Sequence, residues 1–270
     1  MLKNVLSRYV TGRYRAALRY YYLRAGVWRA SLLDRLRTTS PDDLPLPPAS
    51  LRFRVSGTAD TAIFLHVGRQ CADDIRRTLR TLSREIDSFS DILDFGCGCG
   101  RVLRSLYSES SARFYGADID GEAIAWCRSH LPFAEFAQNS IRPPLPFPSG
   151  RFDLVYGVSV FTHLDEENQN AWLHELERVT RSGAVLLLTV HGDLTTSGLS
   201  PAEIALTRER GLFFKVFQTG RYKPDGLPDF YQSTFHTREY VNQAWSQFFE
   251  VVAYLPREMN GHQDIVLLKR

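Results

Sequence analysis

The sequence has no long apolar run and few cysteines. No stretch reaches the roughly eighteen consecutive apolar residues that a membrane-spanning helix needs, and the N-terminus has no apolar signal core. Four cysteines do not make a disulfide framework, and small side chains in a tight loop explain the close pair Cys97 and Cys99 better than metal binding does. These features exclude a disulfide scaffold and predict a cytoplasmic protein.

Acidic residues are scarce at the N-terminal end. Residues 1–40 contain nine lysines or arginines and one acid, Asp34, whereas the remainder contains 24 basic and 29 acidic residues. Aromatic residues interleave these cations, namely Tyr9, Tyr14, Tyr20, Tyr21, Tyr22 and Trp28. We predict that residues 1–40 form a basic helical extension of two helices, about 3–23 and 27–37, broken near Gly26.

Three roles are open for this extension. It can pack on the main domain as a solvated helix, where it would cover the active site or join a homodimer. It can also rest on anionic lipid as a peripheral membrane contact, because arginine and tyrosine suit the headgroup region. The cations could neutralise nucleic-acid phosphates, but the chain shows no recognised RNA-binding or DNA-binding module, so we expect no nucleic-acid partner.

A glycine-rich loop follows an apolar strand in the middle of the chain. Residues 91–101 read Asp-Ile-Leu-Asp-Phe-Gly-Cys-Gly-Cys-Gly-Arg, and a helix is predicted from about Val102. Glycines let the backbone turn sharply and approach a ligand closely, and the helix that follows presents free N–H groups to it. About twenty residues later a second strand ends at Asp118, where a nucleotide ribose is commonly bound. The pattern predicts a nucleoside-binding α/β protein.

The order of acid and glycines indicates which nucleoside is bound. A dinucleotide fingerprint has its third glycine three residues after the second, where this chain has Arg101. Asp94 would repel a pyrophosphate but suits a cationic amino group. The acid followed by Gly-x-Gly-x-Gly resembles motif I of the class I S-adenosylmethionine-dependent methyltransferases. The resemblance implies that Asp94 and the glycine loop hold the amino-acid end of S-adenosylmethionine, and that Asp118 holds the ribose.

The resemblance covers roughly residues 60–270. Residues 136–140 lie where the family has its adenine-contacting loop, and Asn139 replaces the usual acid there; its amide oxygen can still accept from the adenine amino group. Residues 152–156 look like the family's fourth strand, and residues 173–183 like the helix and glycine turn before its fifth. The cofactor-binding residues predicted in this way are Asp94, Gly96, Cys97, Gly98, Gly100, Arg101, Asp118, Ile119, Asn139, Ser140 and Ser159.

The predicted fold is a Rossmann-like class I methyltransferase fold. Alternating strands and helices imply a mostly parallel, seven-stranded sheet with helices on both faces. The predicted strands are 91–95, 112–117, 133–137, 152–158, 184–190, 249–255 and 263–269. The predicted helices are 69–86, 101–108, 121–130, 165–180 and 237–248. We divide the chain into the extension at 1–40, a proline-rich linker and lead-in at 41–59, and a methyltransferase domain at 60–270 with a substrate cover at about 192–235.

Catalytic residues are expected at the carboxyl ends of the strands, where His163 follows the fourth strand and His191 ends the fifth. A histidine can take a proton from an acceptor hydroxyl near neutral pH, so His163 is predicted as base or orienting residue, with His191 second. Tyr156, His236 and His262 are predicted substrate contacts. Each has a structural alternative: Tyr156 can belong to the core, and His236 can be a staple beside a helix cap.

Two His-x-Asp triplets, at 163–165 and 191–193, also permit a divalent metal site. We expect none, because a helix cap at Asp165 and a turn at Asp193 explain both acids.

The sequence therefore predicts methyl transfer from S-adenosylmethionine to oxygen, with nitrogen as the second choice, of a small molecule or saccharide. Residues 159–164, 189–192 and 261–264 resemble a bacterial subgroup associated with glycan or secondary-metabolite biosynthesis. Two alternatives are a nicotinamide-dependent oxidoreductase and a non-catalytic protein that binds S-adenosylmethionine. Arg101 at the third-glycine position argues against the first.

Overall fold

The computed structural model of the chain describes most of its length. The described residues are 12–34, 40, 42–107, 111–217, 219, 229 and 231–270, with side chains described from residue 16 onward.

The described strands form one large sheet and one hairpin. The strands are β1 (Asp91–Phe95), β2 (Arg113–Asp118), β3 (Ala134–Gln138), β4 (Phe152–Gly157), β5 (Thr180–Val190), β6 (Leu212–Lys215), β7 (Ser233–His236), β8 (Glu250–Met259) and β9 (Gln263–Lys269). Seven of them pair in the order β3-β2-β1-β4-β5-β9-β8, and β6 pairs with β7. All neighbours from β3 to β5 are parallel, whereas β9 is antiparallel to both β5 and β8. The predicted Rossmann-like, mostly parallel sheet is confirmed.

Helices cover both faces of this sheet. They are α1 (Gly12–Asp34), α2 (Ala49–Ser56), α3 (Thr61–Arg80), α4 (Leu103–Leu106), α5 (Gly121–His130), α6 (Glu166–Val179), α7 (Pro201–Arg210) and α8 (Arg238–Trp245), and a short 3-10 turn covers Ile86–Ser88. Side-chain caps set several of their starts: Asp120 caps α5, Asp165 caps α6 and Thr237 caps α8. Asp165 therefore has the structural role that the sequence suggested for it.

Alternate residues of the strands divide the core into two layers. In β1, Ile92 packs in the layer beneath α3, α4 and α5, whereas Leu93 packs in the layer beneath α6 and α8. All five β1 residues are buried, as expected for a parallel strand covered on both faces. The carboxyl end of β1 therefore leads into the glycine loop from a rigid position at the centre of the sheet.

The extension differs from the prediction. Within the described residues α1 runs without a break from Gly12 to Asp34, so the predicted break near Gly26 is wrong. One glycine inside a helix costs only about 1 kcal/mol relative to alanine, and packing against α2 offsets this. The predicted helical residues 3–11 and 35–37 lie outside the described residues. No helix among the described residues is long and apolar enough to cross a lipid bilayer.

Several other elements begin or end at residues that differ from the predicted ones. The lead-in at 41–59 contains α2, which starts directly after Pro48 and ends at Gly57, a residue with φ of 65°. The helix predicted at 69–86 begins earlier, at Thr61, and ends at Arg80, because Asp60 caps its start through the Ile63 N–H. The insertion predicted at 192–235 contains α7 and the β6–β7 hairpin. The domain boundaries themselves stay predictions.

A buried ion pair fastens α1 to the body of the protein. The Arg52 side chain is 1% exposed and contacts both carboxylate oxygens of Asp34, at 2.9 and 3.0 Å. It also donates to the carbonyl oxygens of Pro47 and Ala59. One guanidinium therefore ties the end of α1 to both ends of α2.

We expect Arg52→Ala to lower the free energy of unfolding by roughly 3 kcal/mol, because it leaves two buried carbonyl oxygens unpaired and removes the ion pair with Asp34, whose side chain is 25% exposed. Denaturant unfolding measures this change. Arg80→Ala is the matched control, since its partner Glu85 and Arg80 itself are both exposed, and such pairs contribute about 1 kcal/mol or less. Equal losses in the two variants would contradict the anchoring role.

Candidate cofactor and active site

The glycine loop between β1 and α4 is folded tightly against its surroundings. Gly96 and Gly98 have φ of 82° and 52°, a region that side chains disfavour. A Cβ on Gly96 would overlap the Val160 side chain, and one on Gly98 would overlap that of Val55. The backbone N–H groups of Gly96 and Cys97 donate to the Ala117 carbonyl. The loop is therefore pinned to the end of β2 in a form that only glycine permits.

A cavity of about 660 Å³ opens beside this loop, at the carboxyl ends of β1, β2 and β4. Its size is in the range typical of small-molecule sites. Most of the predicted cofactor residues line it: Asp94, Gly96, Cys97, Gly98, Arg101, Asp118, Ile119, Asn139, Ser140 and Ser159. Gly100 does not line the cavity and instead packs toward Leu131 and Cys127. Its carbonyl oxygen accepts the Arg104 N–H in the first turn of α4.

Asp94 is a buried acid with an unpaired oxygen. Its side chain lines the cavity, is 3% exposed, and its Oδ2 atom has no hydrogen-bond partner among the described residues. Burial raises the pKa of Asp94 to about 8, and the nearby negative charge of Asp118 acts in the same direction. An unpaired carboxylate in a buried site is stabilised by a cation. Asp94 therefore fits the ammonium group of an amino-acid moiety.

Asp118 ends β2 and organises the loop above it. Its Oδ2 accepts the Gly98 N–H at 2.7 Å, and its Oδ1 accepts the Asp120 N–H at 2.8 Å. Each carboxylate oxygen has a second lone pair, so both can also accept a hydroxyl. Burial raises the pKa of Asp118, and the two backbone N–H groups counteract that rise. The two oxygens at the cavity wall fit the vicinal hydroxyls of a ribose.

Asn139 has a buried amide oxygen at the cavity. Its Nδ2 donates to the Ser140 carbonyl at 2.8 Å, and its Oδ1 is buried without a hydrogen-bond partner among the described residues. That oxygen can accept from an exocyclic amino group. The amide in place of the usual acid therefore keeps the required acceptor.

Ser159 follows β4 in a strained conformation. Its φ of 62° is uncommon for a residue with a side chain, and such strain is often found at functional sites. A polar network holds it: the Ser159 N–H donates to Thr189 Oγ1 at 2.8 Å, and Gln263 Nε2 donates to Ser159 Oγ at 2.7 Å. The network connects β4, β5 and β9 at the cavity floor.

His163 lies on the cavity wall beyond Ser159. Its Nδ1 bonds the carbonyl oxygen of Gln232, and its ring stacks on Tyr231 with centroids 3.9 Å apart. A carbonyl only accepts, so Nδ1 carries a proton. In its neutral form such a ring has its lone pair on Nε2, which is the atom that a general base uses.

His191 and His262 extend from His163 in a row. The ring centroids of His163 and His191 are 6.4 Å apart, and those of His191 and His262 are 5.7 Å apart. Burial lowers the pKa of His191 to about 4, and the two neighbouring histidines add to this. Neither His191 nor His262 lines the cavity. No group of three histidine, cysteine or acidic side chains suited to a metal ion occurs within the described part of the chain.

Two predicted substrate contacts lie in the core instead. Tyr156 is fully buried under Asp94, and its hydroxyl approaches that carboxyl without hydrogen-bond geometry. His236 is 1% exposed, its Nε2 bonds the Gln169 side chain, and burial lowers its pKa to about 3. Both side chains lie in the core next to the site, because successive residues at the end of a strand face the cavity and the core in turn. Neither side chain lines the cavity.

Several cavity residues were missed by the sequence analysis. Phe217, Tyr231, Gln232 and Ser233 come from the insertion, and Arg19, Leu23, Phe53, Arg54 and Val55 come from α1 and α2. The four-residue spacing of Arg19 and Leu23 places them on adjacent turns of α1, which is a signal that was available. Arg54 is held by Asp120 and Glu122 at 2.7 and 2.6 Å. The N-terminal part of the chain thus contributes directly to the cavity.

Comparison with known proteins identifies the domain that carries this site. The sequence model of a family described as a methyltransferase domain matches residues 92–183, which include the glycine loop, Asp118 and Asn139. Residues 92–183 are a class I S-adenosylmethionine-dependent methyltransferase domain. The cofactor of this family is S-adenosylmethionine, and the unpaired oxygens of Asp94 and Asn139 fit its ammonium and adenine groups.

Two curated relatives align with less than half of the chain. An ajmaline N-methyltransferase from Rauvolfia serpentina is 28% identical over 131 residues, 45% of this chain and 44% of that protein. A probable tocopherol O-methyltransferase from Oryza sativa subsp. japonica is 29% identical over 127 residues, 43% of this chain and 34% of that protein. The chain thus spans less than half the length of either relative.

Solved structures share the fold of the methyltransferase domain. An S-adenosylmethionine-dependent methyltransferase from Mesorhizobium loti has a TM-score of 0.51 and 16% identity, with 72% of this chain and 96% of that chain covered. The glycopeptide N-methyltransferase MtfA, solved with S-adenosylmethionine, has a TM-score of 0.52 and 12% identity, with 73% and 92% covered. At these identities the likeness shows the common fold.

Proposed function

We propose that this protein transfers a methyl group from S-adenosylmethionine to an oxygen of a small molecule or saccharide, with His163 as the base. The observation that carries the proposal is the position of His163 at the cavity wall, with its Nδ1 atom bonded to the Gln232 carbonyl. An imidazole that takes the proton of an acceptor hydroxyl makes the oxygen nucleophilic. His191 is the weaker candidate, because a group with a pKa near 4 holds a proton poorly at neutral pH.

The cofactor would be held by the residues that line the inner part of the cavity. Asp94 would bind its ammonium group, Asp118 its ribose hydroxyls and Asn139 its adenine amino group. Bound S-adenosylmethionine supplies an electrophilic methyl group on a sulfonium. The protein's contribution is then to orient the acceptor in line with that methyl group and to remove its proton.

Part of the cavity wall is aromatic and suits a ring-shaped polar acceptor. Phe217 and Tyr231 offer aromatic faces, while Arg19 adds positive charge. Aromatic rings pack well against the apolar face of a sugar or other ring compound. This composition supports the association with glycan or secondary-metabolite biosynthesis that the sequence suggested, and the insertion would act as the substrate cover. A cytoplasmic location stays a prediction.

Nitrogen is the second candidate acceptor, because one curated relative and one structural neighbour are named as N-methyltransferases. A neutral amine attacks through its own lone pair and can lose its proton after transfer, so it depends less on a base. The nicotinamide alternative is not retained, since the family match covers the glycine loop itself.

Incubation of the protein with methyl-labelled S-adenosylmethionine and a fractionated extract of its native host tests the proposal. Label appearing in a saccharide or small-molecule fraction, and released as methyl iodide by hydriodic acid under conditions that leave N-methyl groups intact, would support O-methylation. Chelator in a parallel reaction should leave the label unchanged. Cofactor binding without labelling of any fraction would favour a non-catalytic binding protein.

We expect Asp118→Ala to raise the dissociation constant for S-adenosylmethionine by roughly 5-fold to 150-fold, since a lost hydrogen-bonding partner costs about 1–3 kcal/mol. Isothermal titration calorimetry measures this. Asp153→Ala is a matched control, because Asp153 also accepts two backbone N–H groups, those of Ser90 and Asp91, away from the cavity. If both variants bind like the unaltered protein, the ribose site has been misplaced.

A further inference from the structure

The outer face of α1, the side turned away from the rest of the protein, is apolar and exposed. Its large side chains are Leu18, Tyr21, Tyr22, Trp28, Leu32 and Leu33, with exposed fractions between 40% and 79%. They recur at intervals of three and four residues, so they share one side of the helix. The opposite side, which includes Leu23 and Val27, is half-buried against the body of the protein. The outer face thus presents six large exposed apolar side chains, with the exposed Arg29 among them.

The charges around this face are all of one sign. Arg19, Arg24 and Arg29 are exposed, and none of them has a carboxylate partner among the residues that the structure describes. The only acid of α1, Asp34, is bound to Arg52 at its C-terminal end. This helical side combines exposed tyrosine, tryptophan and leucine side chains with arginines that have no carboxylate partner among the described residues, and the combination suits the headgroup region of an anionic bilayer in polarity and charge.

We propose that the outer face of α1 docks this protein on the surface of an anionic lipid bilayer, with the helix lying parallel to the membrane. The aromatic and leucine side chains would enter the boundary between headgroups and acyl chains, while the arginines bind lipid phosphates. A second copy of the chain is a poorer occupant, because it would bring the same unpaired arginines against this face.

Docking in this orientation has a consequence for the cavity. Arg19 and Leu23 of the same helix line the cavity wall, so the cavity lies beside the helix that rests on the lipid. Arg52 keeps α1 in this position beside the cavity, because its buried guanidinium binds Asp34 and so holds the end of α1 on α2. The docking itself does not depend on methyl transfer, and it can be measured without an acceptor.

Co-sedimentation of the full chain with vesicles tests the docking. We expect the protein to pellet with vesicles of phosphatidylcholine and phosphatidylglycerol, to remain in the supernatant with phosphatidylcholine alone, and to be released by salt. Trp28→Glu should lower the partition coefficient by about tenfold or more. Leu194→Glu is its control, because Leu194 is 62% exposed and Trp28 is 65% exposed.

A double charge reversal measures the electrostatic contribution to vesicle binding separately from the contribution of the apolar side chains. Arg24→Glu with Arg29→Glu should also lower binding by about tenfold or more, since each basic residue near an anionic surface contributes several-fold in affinity. Arg208→Glu with Arg210→Glu is the control, as both residues are exposed in the last turn of α7. Circular dichroism verifies that all variants remain folded.

Three results would overturn the proposal. The first is equal pelleting with neutral and anionic vesicles, or none with either. The second is an α1 variant that binds as well as its control. The third is a dimer in light scattering that Trp28→Glu converts to monomers without any loss of vesicle binding, because the face would then be an interface between copies.

Discussion

Replacing His163 by alanine should lower methyl transfer to a hydroxyl acceptor by roughly 100-fold or more, because general-base catalysis contributes about that much. The dissociation constant for S-adenosylmethionine should stay close to that of the unaltered protein, since Nδ1 of His163 bonds the carbonyl of Gln232, which is not a residue assigned to the cofactor. The Gln232 carbonyl fixes the proton on Nδ1, so the loss of the ring removes both the base and its orientation. Single-turnover measurements with labelled cofactor give the rate of the transfer step, and calorimetry gives the affinity.

Two further histidine variants show whether the loss of transfer rate is specific to His163. His174→Ala removes an exposed imidazole on α6 and should leave the transfer rate unchanged. His191→Ala should lower the rate by much less than His163→Ala, because burial keeps His191 neutral with a pKa near 4. A His163→Ala protein with an undiminished rate on a hydroxyl acceptor would remove His163 from the mechanism. An undiminished rate on an amine acceptor alone would move the proposal to nitrogen.

The central sheet was predictable because local pattern and global fold agree there. The apolar run of β1 predicts a buried parallel strand. The acid at Asp94 and the glycines at 96 and 98 predict a ligand-binding loop directly after it. The same holds for Asp118, whose place at the end of β2 follows from strand length alone. The alternation of strands and helices then leaves few topologies open.

The side chains behind the cavity were not predictable in the same way. His236 and Tyr156 follow the pattern of strand-end functional residues, yet each faces the core, because a shift of one residue along a strand exchanges its two faces. Arg19 and Leu23 reach the cavity only through the packing of α1 on α2, which depends on the buried pair of Arg52 and Asp34. The four-residue spacing of Arg19 and Leu23 places both on one side of α1, but it does not show which part of the chain that side contacts.

Asp94→Asn should raise the dissociation constant for S-adenosylmethionine by roughly 100-fold at about pH 8, because it removes the charged partner of a buried ammonium group. Asparagine has almost the same shape, so the glycine loop should keep its fold. Asp264→Asn is the control: Asp264 is 1% exposed and its pKa is raised by burial, but it bonds Tyr254 and Arg257 outside the cavity. Its replacement should leave the affinity for the cofactor unchanged.

The pH dependence of binding tests the charge of Asp94 more sharply than the substitution alone. With a pKa of about 8, Asp94 is mostly neutral in the free protein between about pH 6 and 7.5, where the α-amino group of the ligand is still protonated. The bound ammonium favours the ionised carboxylate, so binding in this range should release up to one proton, and affinity should rise with pH by at most about tenfold per unit. Calorimetry in buffers of different ionisation enthalpy counts that proton.

Asp94→Asn should abolish both the proton release and the dependence of affinity on pH. The difference in dissociation constant between Asp94→Asn and the unaltered protein should therefore become smaller as pH falls. A slope that persists in Asp94→Asn would place the titrating group elsewhere and leave the ammonium without the partner assigned to it.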